Sequence, residues 1–124
     1  MKEVPKGKNF SGVNRGQRKD SDFYETPYSI TRQFLDREDF SNCNSVLEPA
    51  SGNGAIVKVL AEHFKFKKPE QLQFYDLSYG RNFLEEKGSF DAIITNPPFS
   101  LAKEFILKAK EVATQKFAML LPLS

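Results

Sequence analysis

Cysteine and histidine each occur once in this chain, as Cys43 and His63. A lone cysteine excludes an internal disulfide, and without a Cys/His cluster there is nothing from which to build a zinc site, so a metal-free protein of the reducing cytoplasm is expected. Long apolar runs are missing too. The longest, Phe117 to Leu121, is far short of a bilayer span, and the N-terminus is polar and basic with no apolar signal core, so neither export nor membrane insertion is expected. A large charge of one sign is also lacking: the formal net charge of +2 is too small to identify a nucleic-acid partner by itself.

What is present is 124 residues with 40% hydrophobic and 27% charged content, enough for one domain with one core. Residues 1–21 read as a flexible basic arm. Lys2, Lys6, Lys8, Arg15, Arg18 and Lys19 stand there among glycine and asparagine with almost nothing apolar. Such a composition suits a solvated tail, or an arm that neutralises nucleic-acid phosphates. Residues 22–124 form the predicted domain.

Within it, Thr26 followed by Pro27 predicts a helix start, with Thr26 as cap and Pro27 at the first helical position, running to about Arg37 with Ile30, Phe34 and Leu35 on its apolar face. Val46-Leu47-Glu48 reads as a short buried strand ending in Pro49 and a glycine turn. From Ala55 the period becomes helical, with Ile56, Val59, Leu60 and Phe64 on one face. Leu72 to Asp76 and Phe90 to Thr95 read as further strands. A helix is expected from about Ser100, capped by that residue, its stripe being Ala102, Phe105, Ile106, Ala109, Val112 and Ala113. Phe117 to Leu121 reads as the last strand.

Strands alternating with helices imply parallel pairing through right-handed crossovers, hence an open α/β sheet with helices on both faces. Ligands bind such sheets at the strand C-termini, which gathers Glu48, Pro49, Asp76, Asn82, Thr95 and Asn96 along one edge.

Three segments carry chemistry. In Glu48-Pro49-Ala50-Ser51-Gly52-Asn53-Gly54 the glycines permit a sharp turn and close approach of a ligand at the head of the next helix. The third glycine of a dinucleotide fingerprint is absent, Val57 standing in its place, and no Lys-Ser/Thr pair makes a P-loop. The Glu48 carboxylate suits a cationic ligand group and would repel a phosphate. Asp76, with two acceptor oxygens in one plane, is suited to a pair of ribose hydroxyls, or else caps a turn.

The third segment, Thr95-Asn96-Pro97-Pro98-Phe99, follows an apolar strand directly. An aromatic amino nitrogen is a poor nucleophile because its lone pair is delocalised into the ring. Acceptors that hold its protons favour a more pyramidal nitrogen, and the Asn96 side-chain oxygen with the Pro97 carbonyl supplies two, at a separation fixed by the adjoining prolines. Phe99 can stack on a base, which must first leave the duplex. The bland alternative is a rigid turn with Phe99 in the core. Cys43 precedes the first strand, which disfavours a cysteine nucleophile acting on cytosine carbon.

Together these segments resemble the S-adenosylmethionine-dependent adenine N6 DNA methyltransferases, in the subgroup where a Thr-Pro motif comes first, the glycine motif second and Asn-Pro-Pro-Phe last. The resemblance covers residues 22–124 and implies a Rossmann-like methyltransferase sheet. It implies that the Asp22-Phe23-Tyr24-Glu25-Thr26-Pro27 segment borders the methionine part of the cofactor, through Tyr24, Thr26 and Pro27. Glu48, Pro49, Ala50, Gly52 and Gly54 would wrap the cofactor, Asp76 would bind its ribose, Asn82 and Phe83 would meet its adenine, and Asn96, Pro97, Pro98 and Phe99 would form the catalytic loop.

Asn82 stands where the family usually has an acid, which implies weaker cofactor binding. The family's sheet usually has seven strands and a target-recognition region, and this chain stops just after its last predicted strand. An incomplete sheet is therefore expected, with an open edge that favours a second copy or a partner subunit. The resemblance implies adenine-containing DNA as partner and a role of the restriction-modification kind. A catalytically inactive or partner-dependent fragment is the first alternative. The same loop also occurs in methyltransferases of RNA bases and of a protein glutamine, which is the second.

Overall fold

The computed structural model describes residues 24–121. The predicted arm, residues 1–21, lies outside them. The chain order is α1 (Tyr28–Arg37), β1 (Val46–Glu48), α2 (Ala55–Phe64), β2 (Leu72–Phe74), β3 (Phe90–Thr95), α3 (Ala102–Val112) and β4 (Ala113–Met119), with short 3-10 turns between several of them. The four strands form one open parallel sheet in the order β2-β1-β3-β4. It is an α/β fold, as the alternation of periods predicts.

The side-chain alternation of β1 and β3 explains why both faces are covered. Val46, Ala92 and Ile94 point to one face, where they meet Leu35, Phe40, Cys43, Ile56, Val59 and Leu60 from α1, the following loop and α2. Leu47 and Ile93 point to the other, against Phe105, Ala109 and Val112 of α3 and Phe83 of the turn Phe83–Glu85. Leu47 and Ile93 are fully enclosed, and burial of such a side chain contributes roughly 1.5–3 kcal/mol. The sheet is thus clamped between two apolar layers, which fixes where its strand tips end.

Five local expectations are corrected. Helix α1 starts at Tyr28 with Pro27 as the flanking residue and no side-chain cap, because the Thr26 hydroxyl is engaged elsewhere. On α1 the buried positions are Thr31 and Leu35, while Ile30 stays 47% exposed. Ser100 does not cap α3: it sits inside a 3-10 turn, Phe99–Leu101, that leads into the helix at Ala102. The last strand begins at Ala113, directly off the helix, four residues earlier than predicted. Its register against β3 shifts by one between Phe90 and Ala92, the signature of an extra residue in β4. Strand β2 is also shorter than predicted and ends at Phe74. Among the described residues no helix is long and apolar enough to cross a membrane.

Candidate functional site

The tips of β1 and β3 are joined by one buried hydrogen bond. Glu48 ends β1 at 1% exposure, and its Oε2 accepts from the Thr95 hydroxyl at 2.6 Å and from the Ala50 N–H at 2.7 Å. Thr95 ends β3 with no exposed surface. A distance of 2.6 Å lies in the range of an O–H···O⁻ bond, stronger than one between neutral partners. The carboxylate therefore holds the glycine loop and the Asn-Pro-Pro loop at a fixed spacing.

The glycine loop is held from below as well. Gly52 donates its N–H to Asp76 Oδ2 at 2.7 Å, Tyr79 donates its hydroxyl to the Gly52 carbonyl at 3.0 Å, and the Ser51 N–H reaches the Tyr75 carbonyl at 3.0 Å. Gly54 flanks the start of α2 in the left-handed region, φ 89°, with none of the described residues near enough to touch an added Cβ. Its glycine is required by backbone conformation and not by crowding.

On the other side of the site, Asn96 is buried at 7% exposure. Its Nδ2 donates to the Tyr24 carbonyl at 2.7 Å and to the Thr26 hydroxyl oxygen at 3.1 Å. A main-chain carbonyl can only accept, which fixes the amide: nitrogen toward 24–26, Oδ1 the other way. Among the described residues no donor is paired with that Oδ1. Pro97 and Pro98 are buried behind it, and the Pro98 carbonyl accepts from the Leu101 N–H at 2.9 Å. Phe99 is 76% exposed. That exposure overturns the alternative in which its ring belongs to the core.

Between these walls lies a shallow crevice of about 20 Å³, far below the roughly 300–1,000 Å³ common for small-molecule sites. It brings together six of the residues singled out in the sequence, Tyr24, Thr26, Glu48, Ala50, Gly52 and Asn96. The others are placed differently. Pro27 is exposed at the start of α1, and Pro49 is enclosed. Gly54 shapes the loop without lining the crevice. Asp76 is 1% exposed, with Oδ2 on Gly52 and Oδ1 accepting from the Ser78 N–H and hydroxyl at 2.9 and 2.8 Å. In this conformation it organises the loop and does not face the crevice. Phe83 is a core side chain, its ring 5.0 Å from that of Phe105.

Asn82 accepts from the Leu84 N–H at 3.0 Å and lines a second, separate concavity of about 290 Å³ with Tyr75, Arg81 and Glu86. There the Tyr75 hydroxyl donates to Glu86 Oε1 at 2.5 Å, and the Arg81 guanidinium lies 4.3 Å over the Tyr75 ring. Burial, then the Glu86 bond and charge, pushes the Tyr75 phenol well above its ordinary value. Burial also pushes Glu86 up, but the Tyr75 hydroxyl, the Gly88 N–H and Arg81 together outweigh it and leave its carboxyl lowered.

Two residues named within the sequence segments were given no role of their own there. Thr95 is the partner of Glu48, and a polar residue ending an apolar strand was its signal. Ser51 lines the crevice inside the glycine loop, where its neighbours drew attention to backbone flexibility and not to its hydroxyl. No protein-family model matches this chain, and no curated protein does either.

Proposed function

We propose that this chain binds S-adenosylmethionine and transfers its methyl group to the exocyclic amino group of adenine in DNA, on a Rossmann-like methyltransferase sheet. The observation that carries this reading is the Asn96 amide. Its nitrogen is committed to Tyr24 and Thr26, so its oxygen is left as an acceptor on a residue that lines the crevice, three residues from an exposed aromatic ring.

The residues present fit the cofactor in charge. Glu48 supplies a carboxylate at the crevice for a cationic group, and the wall of the glycine loop holds a buried hydroxyl, on Ser51, with no partner among the described residues. When bound, the cofactor supplies an electrophilic methyl group on a sulfonium. The protein's part is to present the nucleophile. Asn96 Oδ1 and the Pro97 carbonyl accept the two amino protons, which draws the nitrogen lone pair out of the ring system. Of the two proline carbonyls, Pro98's is already taken by Leu101, which leaves Pro97's for the base. Phe99 stacks on the adenine once it is turned out of the duplex. Thr26 and the Tyr24 carbonyl hold the amide in the one orientation that presents oxygen.

Incubation of the full chain with methyl-labelled cofactor and adenine-containing DNA tests the reading. Label in DNA, lost with Asn96→Ala, is expected. Label appearing only in RNA or in a glutamine-bearing peptide would move the substrate to those classes, and no label anywhere would defeat catalysis by this chain. A second reading, a cofactor-binding unit that needs a second copy or partner subunit for turnover, is favoured by β4 lying at an edge of the sheet, where a further strand can pair. Transfer rates proportional to protein concentration down to the nanomolar range would exclude it.

A further inference from the structure

The crevice is small where two loops close on each other. About 20 Å³ is room for little more than one water molecule, far less than a nucleoside-bearing cofactor fills. The glycine loop after β1 forms one wall, and two bonds fasten it to the segment after β2. Gly52 donates its N–H to Asp76 Oδ2 at 2.7 Å, and the Tyr79 hydroxyl donates to the Gly52 carbonyl at 3.0 Å. One glycine is thus gripped at both its donor and its acceptor.

The two grips differ in how they are released. Asp76 is 1% exposed, and its other oxygen is engaged by Ser78. Tyr79 is 58% exposed, so water competes for its hydroxyl, and the ring can turn away about its own torsions without disturbing the core. The backbone beneath it stays in place. Leu77–Tyr79 is a 3-10 turn in which the N–H groups of Tyr79 and Gly80 reach the Asp76 and Leu77 carbonyls at 2.9 and 3.0 Å. On the facing loop, Gly52 and Gly54 hold positive φ of 51° and 89°, and Asn53 between them is exposed. No side chain of 52–54 anchors that loop in the core, so its position depends on the bonds it makes.

From this we infer that Tyr79 is a gate. Closed on the Gly52 carbonyl, its hydroxyl holds the glycine loop in the shut position, and its release widens the crevice for a ligand. The identity of that ligand, S-adenosylmethionine, rests on the reading above, whereas the gate is a property of the free chain. When only a fraction of molecules is open, apparent affinity falls by that fraction, so removing the latch tightens binding. The sign is diagnostic, because a phenol that touched the ligand would weaken binding when its hydroxyl is lost.

The test compares the full chain with Tyr79→Phe, which keeps the ring and removes the hydroxyl. Its urea midpoint should stay at the wild-type value, since the site is exposed. Without ligand, amide hydrogen exchange at Gly52 and Gly54 should be roughly three- to tenfold faster in Tyr79→Phe, the factor one neutral hydrogen bond supplies, while the amides of α3 exchange as before. Calorimetry should show S-adenosylmethionine bound more tightly by a similar factor. Unchanged exchange at Gly52 and Gly54 would overturn the gate for any ligand. Weaker S-adenosylmethionine binding by Tyr79→Phe would overturn it too, and make Tyr79 a contact residue. Faster exchange in a chain that does not bind S-adenosylmethionine at all would uphold the gate and defeat the methyltransferase reading.

Discussion

Replacing Thr95 by valine probes the bond that joins the two loops. Valine has nearly the same shape, so the change removes one hydroxyl and little volume. The hydroxyl donates to Glu48 Oε2 at 2.6 Å, and both residues are essentially without exposed surface. A hydrogen bond to a charged group contributes about 1.5–3 kcal/mol, and its loss leaves a buried carboxylate with one donor fewer. We expect a loss of about 2 kcal/mol. For a domain of about 100 residues this lowers Tm by roughly 8–16 °C. Urea denaturation followed by circular dichroism would read it as a lower midpoint at unchanged slope, the mark of a native-state effect. Thr95→Ser keeps the hydroxyl and should retain most of the stability. If Thr95→Val unfolds at the wild-type midpoint while Thr95→Ser is the weaker variant, the methyl group matters and the bond does not, and the coupling of the two strand tips would be refuted.

Phe99→Ala should leave the urea midpoint within about 0.5 kcal/mol of wild type, because the ring is 76% exposed, yet lower methyl transfer at least tenfold if the ring stacks on the base; equal loss of stability and activity would contradict an exposed stacking role. Gly54→Ala should cost about 1–2 kcal/mol from the left-handed φ of 89° alone, since none of the described residues crowds the new methyl, and the thermal midpoint checks it. The Glu86 carboxyl is held below its ordinary value of 4.5 in the folded chain. Its contribution to stability is therefore complete above about pH 4.5 and disappears as the pH falls through the lowered folded value. The stability difference between wild type and Glu86→Gln should shrink between about pH 6 and about pH 3, and a gap constant over that interval would count against the Tyr75–Glu86 bond.

Much of the frame can be read from the chain because pattern and packing agree. The limits of β1, α2 and β3 coincide with Val46–Glu48, Ala55–Phe64 and Phe90–Thr95, where apolar runs are closed by proline, glycine or a polar tip. The start of β4 is hidden, because no glycine or proline separates it from α3 and helical periodicity runs on through Val112 and Ala113. Thr26 illustrates a different difficulty. Thr-Pro is a good local start for a helix, but the hydroxyl is used by Asn96, seventy residues away in sequence, and a long-range bond outweighs the local one. The candidate site divides in the same manner. Glu48 and Asn96 are legible as strand-tip residues, whereas Asp76 and Phe83 are diverted by neighbours that sequence spacing does not reveal: the Gly52 N–H for one and the Phe105 ring for the other. The uncommitted state of the Ser51 hydroxyl is likewise a property of its surroundings in the fold and has no counterpart in the sequence.

The most direct measurement is a two-dimensional amide NMR titration of the ¹⁵N-labelled full chain with S-adenosylmethionine. Shifts concentrated on the backbone of 50–56 and on the Asn96 side-chain amide are expected, because these groups line the crevice or border it. An unperturbed spectrum, or shifts gathered instead around the separate groove of Phe40, Phe64 and Phe66, would contradict a cofactor site at the strand tips.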